Sequence, residues 1–514
     1  MRSERILWLL ERPWVLWLLL LPVAMAYTQT EYWDYGADHW ETTAAMRAVS
    51  ENPLHPGNPM LALPGNTSPR FTPYTVAWGL LMKWLGLHVL LLMKLSAYAN
   101  ALLFVTGLSR LMKKLFNFKT LPNVMLLCML LIWGTGYAFA NSYEWWQFFY
   151  SLAHAAMFAY GLGFHALASL AEFTAANRLR DLSFYVLLSW IVFISHPITG
   201  VFIYVSAAAI TLSEKRWRDT FLLQSVPLAG FGIALFWPYF DYAQVFFEGS
   251  ASAWYVSLLY ENQLAALGPI LAGLPILVFF ASRHRHNFAW IGGLLCLGVY
   301  LFSWAAGIQI GERFVFFVAF FLHLGIALFI CEWIESGTGR PPKGARSRWF
   351  RSAVIAVIVL SAIPFLKHDV KMTGSLLLSN FVQRRHAETM PEKFGFLAAY
   401  LKSSDVVLTD SLSGFSLPAL TGAKTVFHMH GNPLLVQELE TRKRANSMFL
   451  SGPATKHERD GIVAAYGVTH ILIDLTRPKE FSDQALMDFT NRGMMVAVQD
   501  SVRLYRLKPP ESPS

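Results

Sequence analysis

Acidic and basic side chains crowd into one short stretch of this 514-residue chain. Glu31, Asp34, Asp38, His39 and Glu41 fall between positions 31 and 41, although only 15% of all residues are charged. Trp33, Tyr35 and Trp40 lie among them. A carboxylate held beside aromatic rings loses solvation and takes up a proton more readily, so Asp38 is the first candidate for a general base acting on an attacking hydroxyl. His39 adjoins it as a second catalytic candidate. Asp34 and Glu41, within a helical turn of Asp38 if the segment is helical, are candidates for binding a hydroxylated substrate. The plainer alternative is a solvated polar loop with a helix cap.

A second set of groups suits a phosphate and a sugar. Arg313, in Gly311-Glu312-Arg313, precedes an apolar segment rich in Phe. Its guanidinium could hold a phosphate bidentately while a lipid chain runs along the helix below, with Glu312 beside it. An arginine merely reaching toward the membrane surface has the same setting. His196, in Ser195-His196-Pro197, could hydrogen-bond a phosphate or hydroxyl, or could be a capped structural residue. Glu144 and Glu261 have Tyr143, Trp145, Trp146, Trp254, Tyr255 and Tyr260 around them. Such rings stack on the CH faces of a sugar while carboxylates accept its hydroxyls, and an aromatic belt shares that composition. His428-Met429-His430 puts two imidazoles on one face if extended, with no third metal ligand identifiable nearby. Asn66-Thr67-Ser68 matches a glycosylation acceptor in form only.

The scaffold that must position these groups is a membrane one. With 54% hydrophobic residues, grouped in blocks of about twenty, the chain has more apolar side chain than a soluble globule buries. The net charge of +9 does not signal nucleic acid, because the basic excess lies in short runs beside apolar segments. Cys128, Cys296 and Cys331 all fall in apolar segments, which excludes a disulfide framework. Trp14–Tyr27, preceded by Arg2, Arg5 and Arg12, reads as an uncleaved first span. Thr72–Leu87 suits a helix lying at the interface. Further spans are expected at His88–Met112, Leu121–Ala140, Tyr150–Phe173, Leu182–Ser195, Ile198–Leu212, Phe221–Tyr239, Gln263–Ala281, Phe288–Ala306, Phe314–Ile334 and Ser352–Leu366, about eleven in all.

On that count one set of loops gathers Arg110, Lys113, Lys114, Lys119, Arg178, Arg180, Lys215, Arg216, Arg218, Arg283, Arg285 and the 340–351 run. The positive-inside rule puts these loops in the cytoplasm and the Asp38 loop outside. Residues 1–366 then form the transmembrane domain, with a long first outside loop over 28–87, and residues 367–514 form an extracytoplasmic soluble α/β domain. There, 406–408, 425–427 and 470–473 read as strands, and 432–449 and 456–466 as helices.

This organisation resembles the GT-C superfamily of integral membrane glycosyltransferases, which includes protein O-mannosyltransferases and aminoarabinose transferases. The local similarity is carried by Asp38-His39, Asn52-Pro53, Arg70-Phe71-Thr72-Pro73-Tyr74, Ser195-His196-Pro197-Ile198-Thr199, Trp237-Pro238-Tyr239 and Gly311-Glu312-Arg313-Phe314. The resemblance implies that Asp38 acts as a base or binds a metal, possible metals being Mg or Mn, and that the donor is a polyprenyl-phosphate sugar. Arg70 joins Arg313, Glu312 and His196 as a donor-phosphate candidate. The implied partners are that donor, membrane lipids and an extracytoplasmic acceptor, in a bacterial inner membrane. Asp38 is followed by His39 rather than by a second acid, and no Trp-Trp-Asp signature is present, so metal use and acceptor class stay open. The competing reading is a non-enzymatic lipid or polysaccharide transporter or assembly subunit with an outside binding domain. Transporters often carry internal repeats and ionisable groups deep within spans, whereas these groups gather at one surface.

Overall fold

A computed structural model describes residues 8–29, 37–63, 68–137, 142–247, 258–335, 345–378, 389–429, 432, 434–451, 453–477 and 480–507. The chain forms two compact units, one of residues 1–29, 96–236 and 255–385, the other of 30–95, 237–254 and 386–514.

The first unit is a bundle of apolar helices. Among the described residues of the whole chain, five helical segments are long and apolar enough to cross a bilayer: Val89–Leu115, Gln263–Ser282, Asn287–Ala305, Ile310–Glu335 and Trp349–Lys367, the second and fourth each including a 3₁₀ turn. The chain is thus a mostly helical, polytopic membrane protein. In the most apolar stretch of Ile310–Glu335, 89% of the residues are buried, and there Phe317 stacks on Phe202 at 4.4 Å. In Trp349–Lys367 the corresponding share is 11%. Its exposed Val357, Leu360 and Ile363 would be costly in water and suit a lipid-facing surface.

Several expected spans are interrupted. Leu121–Ala140 is helical only over Leu121–Leu131. Gly134 and Gly136 then donate backbone hydrogen bonds to Ala266 O at 3.1 and 3.2 Å, and Thr135 donates to Ala265 O at 2.9 Å. The expected Gln263–Ala281 helix is likewise divided, into helices Gln263–Leu267 and Gly273–Ser282 about the 3₁₀ turn Gly268–Ala272. Gly268 has φ +49°, and its missing side chain admits Gly134 Cα, which a Cβ would meet at 2.8 Å. Two apolar segments pair here through backbone, and His323 bonds the Ile132 carbonyl at 2.8 Å where the first helix ends. Non-helical backbone at membrane depth requires such internal partners. Phe221–Tyr239 is also not one helix: Trp217–Leu222 and Ser225–Leu235 are separate, and Trp237 to Tyr239 belong to the second unit. Ser352–Leu366 lies inside a longer helix, Ala345–Leu377.

The second unit is built on a five-stranded sheet of order β2-β1-β3-β5-β4. The strands are β1 (Val406–Leu408), β2 (Lys424–Thr425), β3 (His470–Asp474), β4 (Gly493–Gln499) and β5 (Val502–Leu507). β1 is parallel to β2 and β3, and β5 pairs antiparallel with β3 and β4. Leu408, Ile471, Phe449 and Phe489 lie in its core, with the last two rings stacked at 5.2 Å. The first loop belongs to this unit. Thr425 N donates to Met60 O at 2.8 Å, and Leu61 forms a parallel bridge with Thr425 at the β2 edge. Within the loop lie helices Ala37–Glu51 and Pro73–Leu85, and Thr72 caps the second with Pro73 in its first turn.

Candidate functional site

In the second unit, Asp38 falls in the first turn of helix Ala37–Glu51, where the helix dipole favours negative charge. Its side chain lies outside what the structure describes, and so do Asp34, Trp33, Tyr35, the Asn66-Thr67 pair, Trp254, Tyr255 and His430. His39, Trp40 and Glu41 follow Asp38 and are buried. Glu41 accepts from Arg70 Nε at 3.0 Å, with the glutamate side chain 2% exposed and the arginine 24% exposed. This pair joins the first turn of one loop helix to the approach of the other. Asp38 and Glu41, three residues apart, occupy neighbouring positions on the helix.

The loop is fastened further along. Trp237 Nε1 donates to Phe71 O at 2.7 Å, and Tyr239 Oη donates to Pro53 O at 2.8 Å. Arg47 Nη1 donates to Leu420 O at 2.8 Å. The Trp237-Pro238-Tyr239 motif therefore clamps the loop, a role that spacing in sequence did not reveal.

In the first unit, Glu312 is fully buried. Its Oε2 accepts from Leu259 N at 3.1 Å, so this carboxylate holds the turn that carries Tyr260. Tyr260 Oη donates to Ile308 O at 2.9 Å, and its ring lies 5.3 Å from that of Tyr300. Gln263 donates to both Leu259 O and Tyr300 Oη, at 2.6 and 2.7 Å. Tyr300 and Gln263 were not read from the sequence, because an amide and a phenol inside apolar runs carry no local signal. Glu261 follows Tyr260 and is exposed, and Arg313 is half-buried in the 3₁₀ turn Gln309–Phe314.

His196 is the single residue joining helices Leu179–Ser195 and Pro197–Ser213. Its Nδ1 lies 2.8 Å from Thr199 Oγ1 and accepts from Thr199 N at 3.4 Å, so the ring caps the second helix. That bond assigns the ring proton to Nε2. Glu144 precedes helix Trp145–Tyr150, with its carboxyl against Gly136, whose φ is +65°. Burial pushes this carboxyl up to about 8, and Asp369 adds to the shift, while the Tyr137 N–H opposes it. Glu144 is thereby a proton-bearing acid at neutral pH.

The structure brings together Glu41 and Arg70 in one unit, and Glu312 and Tyr260 in the other. His196 and Glu144 each have their own local setting. Among the described residues, which omit the Asp34 and Asp38 carboxylates, no three His, Cys, Asp or Glu side chains gather as metal ligands. His428 is buried beside the Phe415 ring.

No known family profile and no curated protein sequence matches the chain. In structure it is similar to the oligosaccharyltransferase of Archaeoglobus fulgidus, both tethered to an acceptor peptide containing the NVT sequon (TM-score 0.48) and in the apo form (TM-score 0.49), at 11% identity. The matches cover 86% and 89% of this chain, which spans 65% and 69% of the two matched chains.

Proposed function

We propose that this chain is an integral membrane glycosyltransferase that moves a hexosyl or pentosyl group from a polyprenyl-phosphate-linked donor to an extracytoplasmic glycan, lipid or protein. The acceptor hydroxyl oxygen attacks the anomeric carbon, and its proton passes to the Asp38 carboxylate. The bond from that carbon to the phosphate oxygen breaks, the electron pair leaves with the phosphate, and a single displacement inverts the centre. On the sequence reading, Arg313 takes the charge of the departing phosphate. The α/β unit stands outside a bacterial inner membrane in this proposal.

One observation carries the reading. The backbone of Asp38, His39 and Glu41 is built into helix Ala37–Glu51, and the Glu41–Arg70 ion pair fixes that helix within a unit that includes the sheet. A general base needs such fixed placement to stay within hydrogen-bond reach of its proton. Should the enzyme use Mg or Mn, Asp38 is the acid that the resemblance implies would hold it, in place of acting as base, and the ion would supply positive charge to a phosphate. The test uses purified full-length protein and polyprenyl-phosphate sugars. Asp38→Asn keeps the shape and loses proton acceptance, so turnover should fall by roughly 10²-fold or more with donor binding kept. Near-normal turnover would remove the base assignment.

A further inference from the structure

The second unit holds a cavity of about 290 Å³ between the end of helix Ala37–Glu51 and the start of helix Val89–Leu115. Met82, Leu87 and Val89 give it an apolar side, while Arg47, Glu51 and His88 give it a polar one. Its depth is set by its neighbours. His88 directly precedes a segment apolar enough to span a bilayer, and Trp84 and Leu85 beside it are 72% and 63% exposed. A tryptophan exposed next to the mouth of a span marks the headgroup level of the membrane.

The polar wall is preset. Arg47 Nε holds Glu51 Oε1 at 3.0 Å, and Arg47 Nη1 is anchored on Leu420 O at 2.8 Å. Gly422, with φ +84°, backs the pair so closely that a Cβ would lie 3.1 Å from both Arg47 Nε and Glu51 Oε1. Among the described residues Arg47 Nη2, Glu51 Oε2 and His88 Nε2 have no partner. The wall therefore offers a guanidinium N–H and an imidazole nitrogen for a phosphate, and a carboxylate oxygen for an ammonium. A purely anionic group would have to sit against the Glu51 oxygen, and a quaternary ammonium has no N–H to donate to it, so the wall selects a zwitterion with a primary ammonium.

The geometry points to a binding site for the phosphoethanolamine headgroup of a membrane phospholipid, with phosphate on Arg47 and His88, ammonium on Glu51, and acyl chains along Trp84 and Leu85. This site goes beyond the glycosyltransferase reading and does not depend on it.

The test follows maleimide labelling of Met82→Cys in the full chain, whose own cysteines among the described residues are all buried. The protein is placed in phosphatidylcholine nanodiscs that contain added phosphatidylethanolamine, added phosphatidylglycerol or neither. Phosphatidylethanolamine should slow labelling by at least about threefold, as expected for an occupied site. Phosphatidylglycerol should slow it less, because it brings no ammonium. Glu51→Gln should erase the difference between the two lipids, and His88→Gln, at an exposed position whose loss threatens folding least, should weaken the protection. Equal rates in all three discs would overturn the site. Equal protection by phosphatidylglycerol would overturn the zwitterion, and protection by inorganic phosphate or free phosphoethanolamine in phosphatidylcholine alone would overturn the lipid as its source.

Discussion

Arg70→Met takes the guanidinium away from a carboxylate that is 2% exposed. A buried polar group deprived of its partner costs about 1–3 kcal/mol, and more when ionised. A fully buried pair would lose about 3–5 kcal/mol, but Arg70 keeps 24% of its side-chain surface, so hydration already weakens the pair and the lower range applies. A loss of about 2 kcal/mol corresponds to roughly 4–8 °C in Tm for a unit of about two hundred residues. Glu41→Gln leaves a neutral amide and should cost less. The double variant Arg70→Met/Glu41→Gln should therefore be more stable than Arg70→Met alone, with a coupling of about 1 kcal/mol or more. Thermal unfolding of the purified full chain in detergent reads this directly. Single losses below about 0.5 kcal/mol that simply add in the double variant would refute the pair's structural role.

Glu144, held up at about 8, makes the folded state lose stability as pH rises from the ordinary carboxyl range through that value. Glu144→Gln should flatten this part of the Tm–pH curve, and an unchanged curve would discount its burial. Lys424 has the opposite sign. Burial pulls its amine down to about 8, with Glu51 opposing and Arg47 reinforcing the shift, so wild-type stability should rise with pH from about 8 toward the ordinary lysine range. Lys424→Met should abolish that rise in the same Tm series. For topology, a cysteine at Ser411 should react with an impermeant reagent added outside cells and one at Ser347 should not. Protection at Ser411 would reverse the assigned orientation.

Strong local signals were legible in sequence. Lys456–Tyr466 is a helix over the expected residues, because Thr455 and Glu458 form a capping box and Gly467 ends it at φ +62°. Val89–Leu115 was read to within a few residues from apolar length alone. Composition could not show the breaks at Gly134 and Gly268, since a helix and an extended pair bury the same apolar side chains. The β4–β5 hairpin turns at Asp500 and Ser501, but Met494, Met495 and Val498 face solvent and blur the alternation that marks a strand. Glu312 illustrates the limit for the site. Its Oε2 accepts from Leu259 N, across 53 positions of sequence, a contact that nothing in the neighbouring residues signals.

The fastening of the first loop has one chemical feature in common. Trp237 reaches Phe71 O, Tyr239 reaches Pro53 O, Thr425 N reaches Met60 O, and Lys424 reaches Pro59 O. Every one of these bonds ends on a loop carbonyl, a group present whatever side chain the loop carries. The donors of these four bonds come from the rest of the second unit. Of the loop's own acids and bases, Arg47 adds a bond to Leu420 O, and Glu41, which Arg70 engages, steadies the helix carrying Asp38. The loop's anchorage on these carbonyls is independent of side-chain chemistry, so Asp38→Asn is expected to lower turnover with Tm kept. A large fall in Tm for Asp38→Asn would contradict this division of labour.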